Sequence, residues 1–291
     1  MRRGKHGVVQ LVAVKRNSIN NISENQEAWQ LKLFRKSLKK QQKLKALEKI
    51  IGENPGQSCL LITCGDNNGA LNWYLRNTGG NWSWVDAEQD SIAQISEITG
   101  DEVTEMDKDN PSLPFPDHWF DVIVTIDVHE HLLKPEIINK EIARLIKPGG
   151  RVIVTTPNGD KDKSVTRLKH LIGMRPEDYG HIVIGYDVPQ LREQMEEVGL
   201  TVYQDASYAR FFTELLELGI NFTYVKILSK RSDTRVEKGQ ITPQNLGQIK
   251  SVEKSMKLYS FFYPVFLVIS KLDILDRSPR GYAVIVAARN D

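Results

Sequence analysis

Cysteine is scarce in this chain, with two in 291 residues, and Cys59 and Cys64 stand five positions apart in one strand-like segment and the loop after it. That spacing excludes a disulfide framework and a cysteine metal site, so no metal is expected and a reducing, cytoplasmic setting fits. Long apolar runs are also missing: the longest, Phe261 to Ile269, is half the ~18 residues that suggest a spanning helix, and it contains Pro264. No transmembrane segment is expected. The basic start Met1-Arg2-Arg3-Gly4-Lys5 is followed by a short stretch, Val8 to Val14, that is interrupted by Gln10 and ends in Lys15-Arg16 without a small-residue cleavage pattern. No secretion signal is expected either. There is no internal repeat, no low-complexity tract and no large excess of one charge, the net being +2. The charge is unevenly spread, however, with 13 Lys and Arg against 4 Asp and Glu over residues 1–56 and 26 against 33 over the rest. Global attraction to nucleic acid is therefore not indicated, and the basic character belongs to an N-terminal arm.

What is present is 40% apolar residues patterned as an ordinary globular protein. Between Ala28 and Ile51, Leu31, Phe34, Leu38, Leu44, Leu47 and Ile51 recur at roughly helical spacing among lysines, which predicts one or two basic amphipathic helices ending at Asn54-Pro55-Gly56. From Cys59 short apolar runs alternate with helical segments, the pattern of a doubly wound α/β domain. The expected strands are Cys59 to Thr63, Trp82 to Asp86, Glu102 to Met106, Asp121 to Asp127, Arg151 to Thr156, Leu200 to Ala206 and Tyr282 to Ala288. The clearest helix has Pro135 in its first turn, an inward face of Ile138, Ile142, Leu145 and Ile146, and a stop at Lys147-Pro148-Gly149-Gly150. A second, Val188 to Val198, is closed by Gly199. Roughly seventy residues before the last strand read as mostly helical, with a polar loop around 229–248. These patterns divide the chain into a basic arm with helices (1–56), a core (57–210), a helical cap (211–280) and a final core strand (281–291).

The loop Thr63-Cys64-Gly65-Asp66-Asn67-Asn68-Gly69-Ala70 lies between the first strand and its helix, and its Gly and Asn content lets bare backbone approach a ligand. Asp86 ends the second strand 21 residues beyond Gly65, where an acidic side chain can hold a ribose through its hydroxyls. Together the two features indicate a nucleoside cofactor. A nicotinamide dinucleotide would need a third closely spaced glycine, which is absent.

The block from Leu113 to Asn158 carries Leu113-Pro114-Phe115, Phe120-Asp121, Glu130-His131, Lys147-Pro148-Gly149-Gly150 and Thr156-Pro157-Asn158. It resembles the central block of class I S-adenosylmethionine-dependent methyltransferases, especially those that include the ubiquinone and menaquinone biosynthesis enzymes. The likeness extends with less force from Leu60 to about Ala206. It implies a Rossmann-like seven-stranded sheet of order 3-2-1-4-5-7-6, with Tyr282 to Ala288 as the reversed strand. It also implies S-adenosyl-L-methionine held by Cys64, Gly65, Asp66 and Gly69, its ribose at Asp86 and Ala87, its adenine near Met106 and Asp107, and its sulfonium facing Asp127 and Val128. The family usually ends strand one with an acidic residue. Here Leu61, Ile62 and Thr63 occupy that stretch, and Asp66 is the candidate replacement.

Methyl transfer from a sulfonium needs mainly alignment, and an oxygen nucleophile gains further from a general base. Histidine suits that work near neutral pH. His181 and His129 are the candidates, whereas His131, in the Glu130-His131 pair, reads as a scaffold residue. The apolar cluster of Phe211, Phe212, Leu215, Leu216, Leu218, Phe222 and Tyr224, with the aromatics of Leu258 to Leu267, reads as a cap. A sharper reading makes it an apolar tunnel or a membrane-surface foot aided by Lys36, Lys39, Lys40 and Lys43, peripheral at the inner membrane face. The expected acceptor is a small molecule, lipid or glycan. Nucleic acid is not an expected partner, since there is no Asn-Pro-Pro-aromatic motif or RNA-binding module. The alternative is a non-catalytic methyltransferase-like scaffold.

Overall fold

The structure, a computed structural model, describes residues 28–223 and 246–291, with side chains in the last long helix described from Lys257 onward. Tyr224, the polar stretch 229–245 and the first 27 residues of the basic arm lie outside the described residues.

Seven strands form one sheet: β1 (Ser58–Thr63), β2 (Asn81–Asp86), β3 (Val103–Glu105), β4 (Phe120–Ile126), β5 (Ile146–Pro157), β6 (Thr201–Tyr208) and β7 (Ala283–Arg289). Their order is β3-β2-β1-β4-β5-β7-β6, and β7 runs antiparallel to both neighbours while the pairings of β1 to β5 are parallel. This is the order the resemblance implied. Strands that are apolar on both sides, such as Val122-Ile123-Val124, are buried on both sides because helices cover each face.

One face is covered by α5 (Pro135–Leu145) and α7 (Val188–Glu196), whose Ile138, Ile142, Leu145 and Leu191 join Leu60, Ile62, Ile123 and Val154 in one core. The α7 start is fixed by a capping box, in which Asp187 accepts from the Gln190 amide at 2.8 Å and the Gln190 side chain accepts from the Asp187 amide at 2.9 Å. The opposite face is covered by α1 (Trp29–Phe34), α2 (Leu38–Ile51), α3 (Ala70–Arg76) and α4 (Gln89–Thr99). There Phe34, Leu47 and Ile51 pack with Leu61, Val124 and Ile285. The basic helices thus give their apolar stripe to the core and keep their lysines at its edge, where long stems can reach inward.

A cap is made by α6 (Ser164–Leu171), α8 (Phe211–Phe222) and α9 (Leu246–Lys271). Here the structure corrects the expectation about long apolar segments: Lys257–Leu275 is long and apolar enough to cross a membrane, with mean hydropathy 1.5 and only 6% buried. Helix α9 runs on through Pro264, so residues on both sides of the proline count together. A second correction concerns Ile146, assigned above to the helix face: it ends α5 and opens β5, which carries the Lys147-Pro148-Gly149-Gly150 segment as strand.

Candidate active site at the strand ends

The chain travels outward from β1 in one direction and resumes at β4 in the other, so the loops after these neighbours diverge and leave a crevice at their carboxyl ends. Thr63 lies in register with Ile126, and Ile126 with Thr155, so β1, β4 and β5 end side by side. Above them is a cavity of about 190 Å³ whose wall includes Gly65, Asp66, Asn67, Asn68, Asp127, His131 and His181.

The turn after β1 is held by a buried polar network in place of the missing strand-end carboxylate. Thr63 donates its hydroxyl to Asp86 Oδ2 and receives the Asn67 side-chain amide at 3.1 Å, and Asn67 also bonds Asn72 at 3.0 Å and takes the Gly69 amide at 2.9 Å. Gly65 (φ +87°), Asp66 (φ +45°) and Gly69 (φ +78°) all adopt left-handed backbone there. At Gly69 no side chain fits, because a Cβ would stand 2.9 Å from the Ile95 Cα and 3.0 Å from the Gln94 carbonyl oxygen, both backbone atoms of α4. Gly69→Ala is expected to lose about 1–3 kcal/mol, seen as a lower denaturant midpoint at unchanged slope. An unshifted midpoint would mean the turn is shaped otherwise.

Asp86 is where the sequence placed it, at the end of β2, but its expected ribose contact is corrected by its burial. It is 0% exposed, and its Oδ1 accepts from the amides of Gly65 and Glu88, each at 2.9 Å. Burial pushes its carboxyl up to about 6, against the pull of the Thr63, Glu88 and Gly65 donors. It therefore shapes the turn from behind. The acidic group on the open side is Glu88, exposed, paired with Lys108, and set so that a Cβ on Gly65 would meet its Cγ at 2.7 Å. Met106 is also turned away from the crevice, 1% exposed in the core beside Val85 and Leu113, while its amide bonds the Asp86 carbonyl. Cys64 is buried, with burial pushing its thiol up to about 12. Ala87 packs against the same core, and the Asp107 carboxylate accepts from the Asp109 amide.

Asp127, just past β4 at φ +51°, lines the cavity and forms an ion pair with Lys43 of α2. Burial alone would raise this carboxyl, but the Lys43 and Lys39 ammonium groups outweigh it and hold it below the usual range. Val128 does not face the cavity; it is fully buried in the core. The next three residues form a single tight helical turn, His129–His131. His129 points inward with 0% exposure, its Nε2 2.8 Å from Asn139 Oδ1, and burial lowers it to about 4. It is a core histidine, which removes it from the candidate bases. His131 is the one that faces the cavity, reversing the expected roles of the two.

His181 reaches the same wall from the loop after the short helix Pro176–Tyr179. The amide of Ile182 donates to the Glu130 carbonyl at 2.7 Å, His131 Nδ1 sits 3.0 Å from the Gly180 carbonyl, and the two imidazole centroids are 4.7 Å apart at 84°. Burial, then the neighbouring His131, lower His181 to about 3, so its lone pair is available throughout the neutral range. On the cap side, Glu214 of α8 bridges Lys39 at 2.9 Å and Lys169 at 2.5 Å. The two ammonium groups overcome its burial and hold it at about 2. The Tyr179 hydroxyl, also on the cavity wall, is buried without a hydrogen-bond partner among the described residues.

A family model described as a methyltransferase domain matches residues 33–205 of this chain, more than half of it. The chain belongs to the methyltransferase domain family. The matched stretch of this methyltransferase domain opens within the basic helices and ends in β6, so it holds every crevice residue named above except Glu214. A 2-methyl-6-phytyl-1,4-hydroquinone methyltransferase of Synechocystis is 28% identical over 113 residues, which is 38% of this chain and 35% of that one. The match thus spans about a third of that relative's length. Among solved structures, a protein from Bacillus halodurans assigned as a methyltransferase superposes with TM-score 0.54 at 14% identity, over 85% of this chain and 98% of that one. The (4+2)-cyclase SpnF superposes with TM-score 0.52 at 16% identity, over 86% of this chain and 81% of that one. These two likenesses establish the fold alone.

Of the residues expected at the methyltransferase site, Gly65, Asp66, Asp127 and His181 converge on one cavity. Lys39 and Lys43, read in the sequence only as surface charge, and Tyr179 reach the cavity wall through packing between elements far apart in the chain, whereas Glu88 stands beside Gly65 only two residues past Asp86. Glu130 and His131 did carry a signal, the Glu-His pair after strand four.

Proposed function

We propose that the protein is an S-adenosyl-L-methionine-dependent methyltransferase that methylates an oxygen of an apolar acceptor presented at a membrane surface. The observation that carries this reading is the single cavity joining the bare Gly65–Asn68 turn to His131 and His181. The residues present fit the cofactor: Gly65 offers backbone that only the flexible Glu88 side chain approaches, Glu88 offers a carboxylate for ribose hydroxyls, and Asp127 offers one for the amino group. When bound, the cofactor supplies the activated methyl group, and the protein's part is alignment. His181 stands on the acceptor side with a lone pair, which suits a hydroxyl that must lose its proton. The unpartnered Tyr179 hydroxyl can hold a polar group of the same acceptor.

The acceptor class rests on α9. Leu258, Phe261, Val265, Val268 and Leu272 are exposed at alternating spacings of three and four, one continuous apolar stripe. The apolar stretch Lys257–Leu275 lies on the domain: Tyr259 near its start donates to the Lys36 carbonyl, and Asp273 near its end accepts the Phe212 amide at 2.8 Å. An apolar stretch anchored at both ends to one domain lies along a bilayer rather than through it. Its neighbour at Lys36 is the basic region, whose charge complements anionic lipid on a cytoplasmic membrane face. The hydroquinone methyltransferase relative, named for a phytyl-bearing substrate, supports the same class.

A non-catalytic scaffold is the second reading, favoured by the absent carboxylate on β1 and by Lys43 occupying Asp127. Calorimetry with S-adenosyl-L-methionine is expected to give saturable heat, and labelled methyl is expected in the lipid fraction of an extract. Sedimentation with phosphatidylserine vesicles should be strong at low salt and fade as salt rises. Absence of heat favours the scaffold, and label confined to polar fractions or no sedimentation removes the lipid assignment.

A further inference from the structure

We propose that Glu130, His131 and His181 bind one divalent transition-metal cation. The three offer one ligand atom each, a carboxylate oxygen and two imidazole nitrogens, and these atoms all lie within 4.8 Å of one another. Glu130 is fully buried, and among the described residues no other residue donates a hydrogen bond to either of its side-chain oxygens. A carboxyl in that position either keeps its proton or takes a positive partner, since burial of the charge without one is strongly unfavourable. Lys43, which pairs with Asp127, supplies none by contact.

The imidazoles are arranged as ligands. With the Gly180 carbonyl 3.0 Å from it, His131 Nδ1 must carry the proton, which leaves Nε2 with its lone pair. A ring nitrogen that donates to a carbonyl while the other ring nitrogen stays free is the usual support of a metal-bound histidine. The two arms of the site are stitched together by backbone, Ile182 to Glu130, so little reorganisation accompanies binding. Around the cluster, the Asp127 carboxylate favours a cation and the Lys43 and Lys39 ammonium groups oppose it. Asp127 already pairs with Lys43, and Glu214 is shared by Lys39 and Lys169, so Glu130 has no ion-pair partner among the described residues; burial, then the nearby Asp127, raise its carboxyl well above the usual range, and a cation would take the place of that proton.

Two nitrogens and one oxygen suit zinc, cobalt, manganese or iron better than magnesium or calcium. Three protein ligands leave coordination positions open toward the cavity. The role of the cation, though not its binding, rests on the methyl-transfer reading above: it would polarise an acceptor hydroxyl, leaving His181 as its ligand instead of a free base.

The test is titration of the metal-stripped full chain with Co²⁺, followed by visible absorption, and with Zn²⁺, followed by thermal unfolding. One Co²⁺ per chain is expected, displaced by Zn²⁺, and Zn²⁺ should raise the unfolding midpoint. His181→Ala and Glu130→Gln should each weaken binding by ~100-fold or more, since even outer-shell changes cost 10–100-fold. His170→Ala, an exposed histidine on the same cavity wall, should leave binding unchanged. Should Glu130→Gln fail to fold, His181→Ala on its surface loop decides alone. No saturable Co²⁺ absorption, or affinity equal to wild type in the two ligand variants, overturns the proposal and leaves Glu130 holding a proton. Cofactor heat without Co²⁺ binding sinks this inference while sparing the methyltransferase reading; Co²⁺ binding without cofactor heat does the reverse.

Discussion

His181→Ala should lower turnover by about 10²–10⁴-fold while leaving S-adenosyl-L-methionine affinity near the wild-type value, the range expected for loss of a proton-transfer or ligating group. The imidazole lies on the cavity wall, packed edge-on to His131, and burial keeps it neutral across the range in which an enzyme is assayed. The turn expected to hold the cofactor is built by a separate hydrogen-bond network around Thr63, Asn67 and Asp86, in which His181 takes no part. Initial rates with labelled cofactor and calorimetry on the same preparation check both halves. Turnover equal to wild type would remove His181 from the mechanism, and loss of cofactor binding would show it to be a cofactor residue.

The second large effect concerns Asp86 and pH. Its folded-state value of about 6 lies above the 3.8 of an unperturbed carboxyl, so the unfolded chain releases its proton first as pH rises. The stability associated with this group is therefore fully present below pH 3.8 and is lost as pH passes through about 6. The displacement corresponds to about 3 kcal/mol at 1.36 kcal/mol per unit. Asp86→Asn keeps an acceptor for the Gly65 and Glu88 amides but cannot ionise. The variant should therefore gain on wild type by about 2 kcal/mol between pH 4 and pH 7, the rest of the loss falling outside that interval, whichever is the more stable at the starting point. Paired urea titrations at the two pH values measure this difference, and other groups cancel in it. A difference independent of pH would show that the carboxyl ionises as it does in water.

Much of the fold was legible because the relevant signals are local. Pro135 and the Ile138, Ile142, Leu145 spacing define a helix wherever it packs, and Val122-Ile123-Val124 reads as a strand covered on both sides. The site was legible to the level of loops and not of side chains. The interval from Gly65 to Asp86 located a strand end beside the turn, but the same interval is compatible with a carboxylate facing ligand or facing backbone amides. Here it takes the amides, and Glu88, two residues on, faces out. Likewise His129 and His131 sit in one tight turn of about three residues, where neighbouring side chains diverge sharply. Composition could not say which would enter the core.

The sequence alone determined the alternation of strands and helices, the glycine turn and, through the resemblance of Leu113 to Asn158, the strand order. It could do so because hydrophobic periodicity and turn conformation act over a few residues. Only the tertiary structure decided that Lys43 meets Asp127, that Glu130 is buried beside two imidazoles, and that α9 keeps an apolar stripe outside. Those outcomes depend on how much water each polar group loses and on which distant neighbour repays it, and that is settled only when the whole chain has packed.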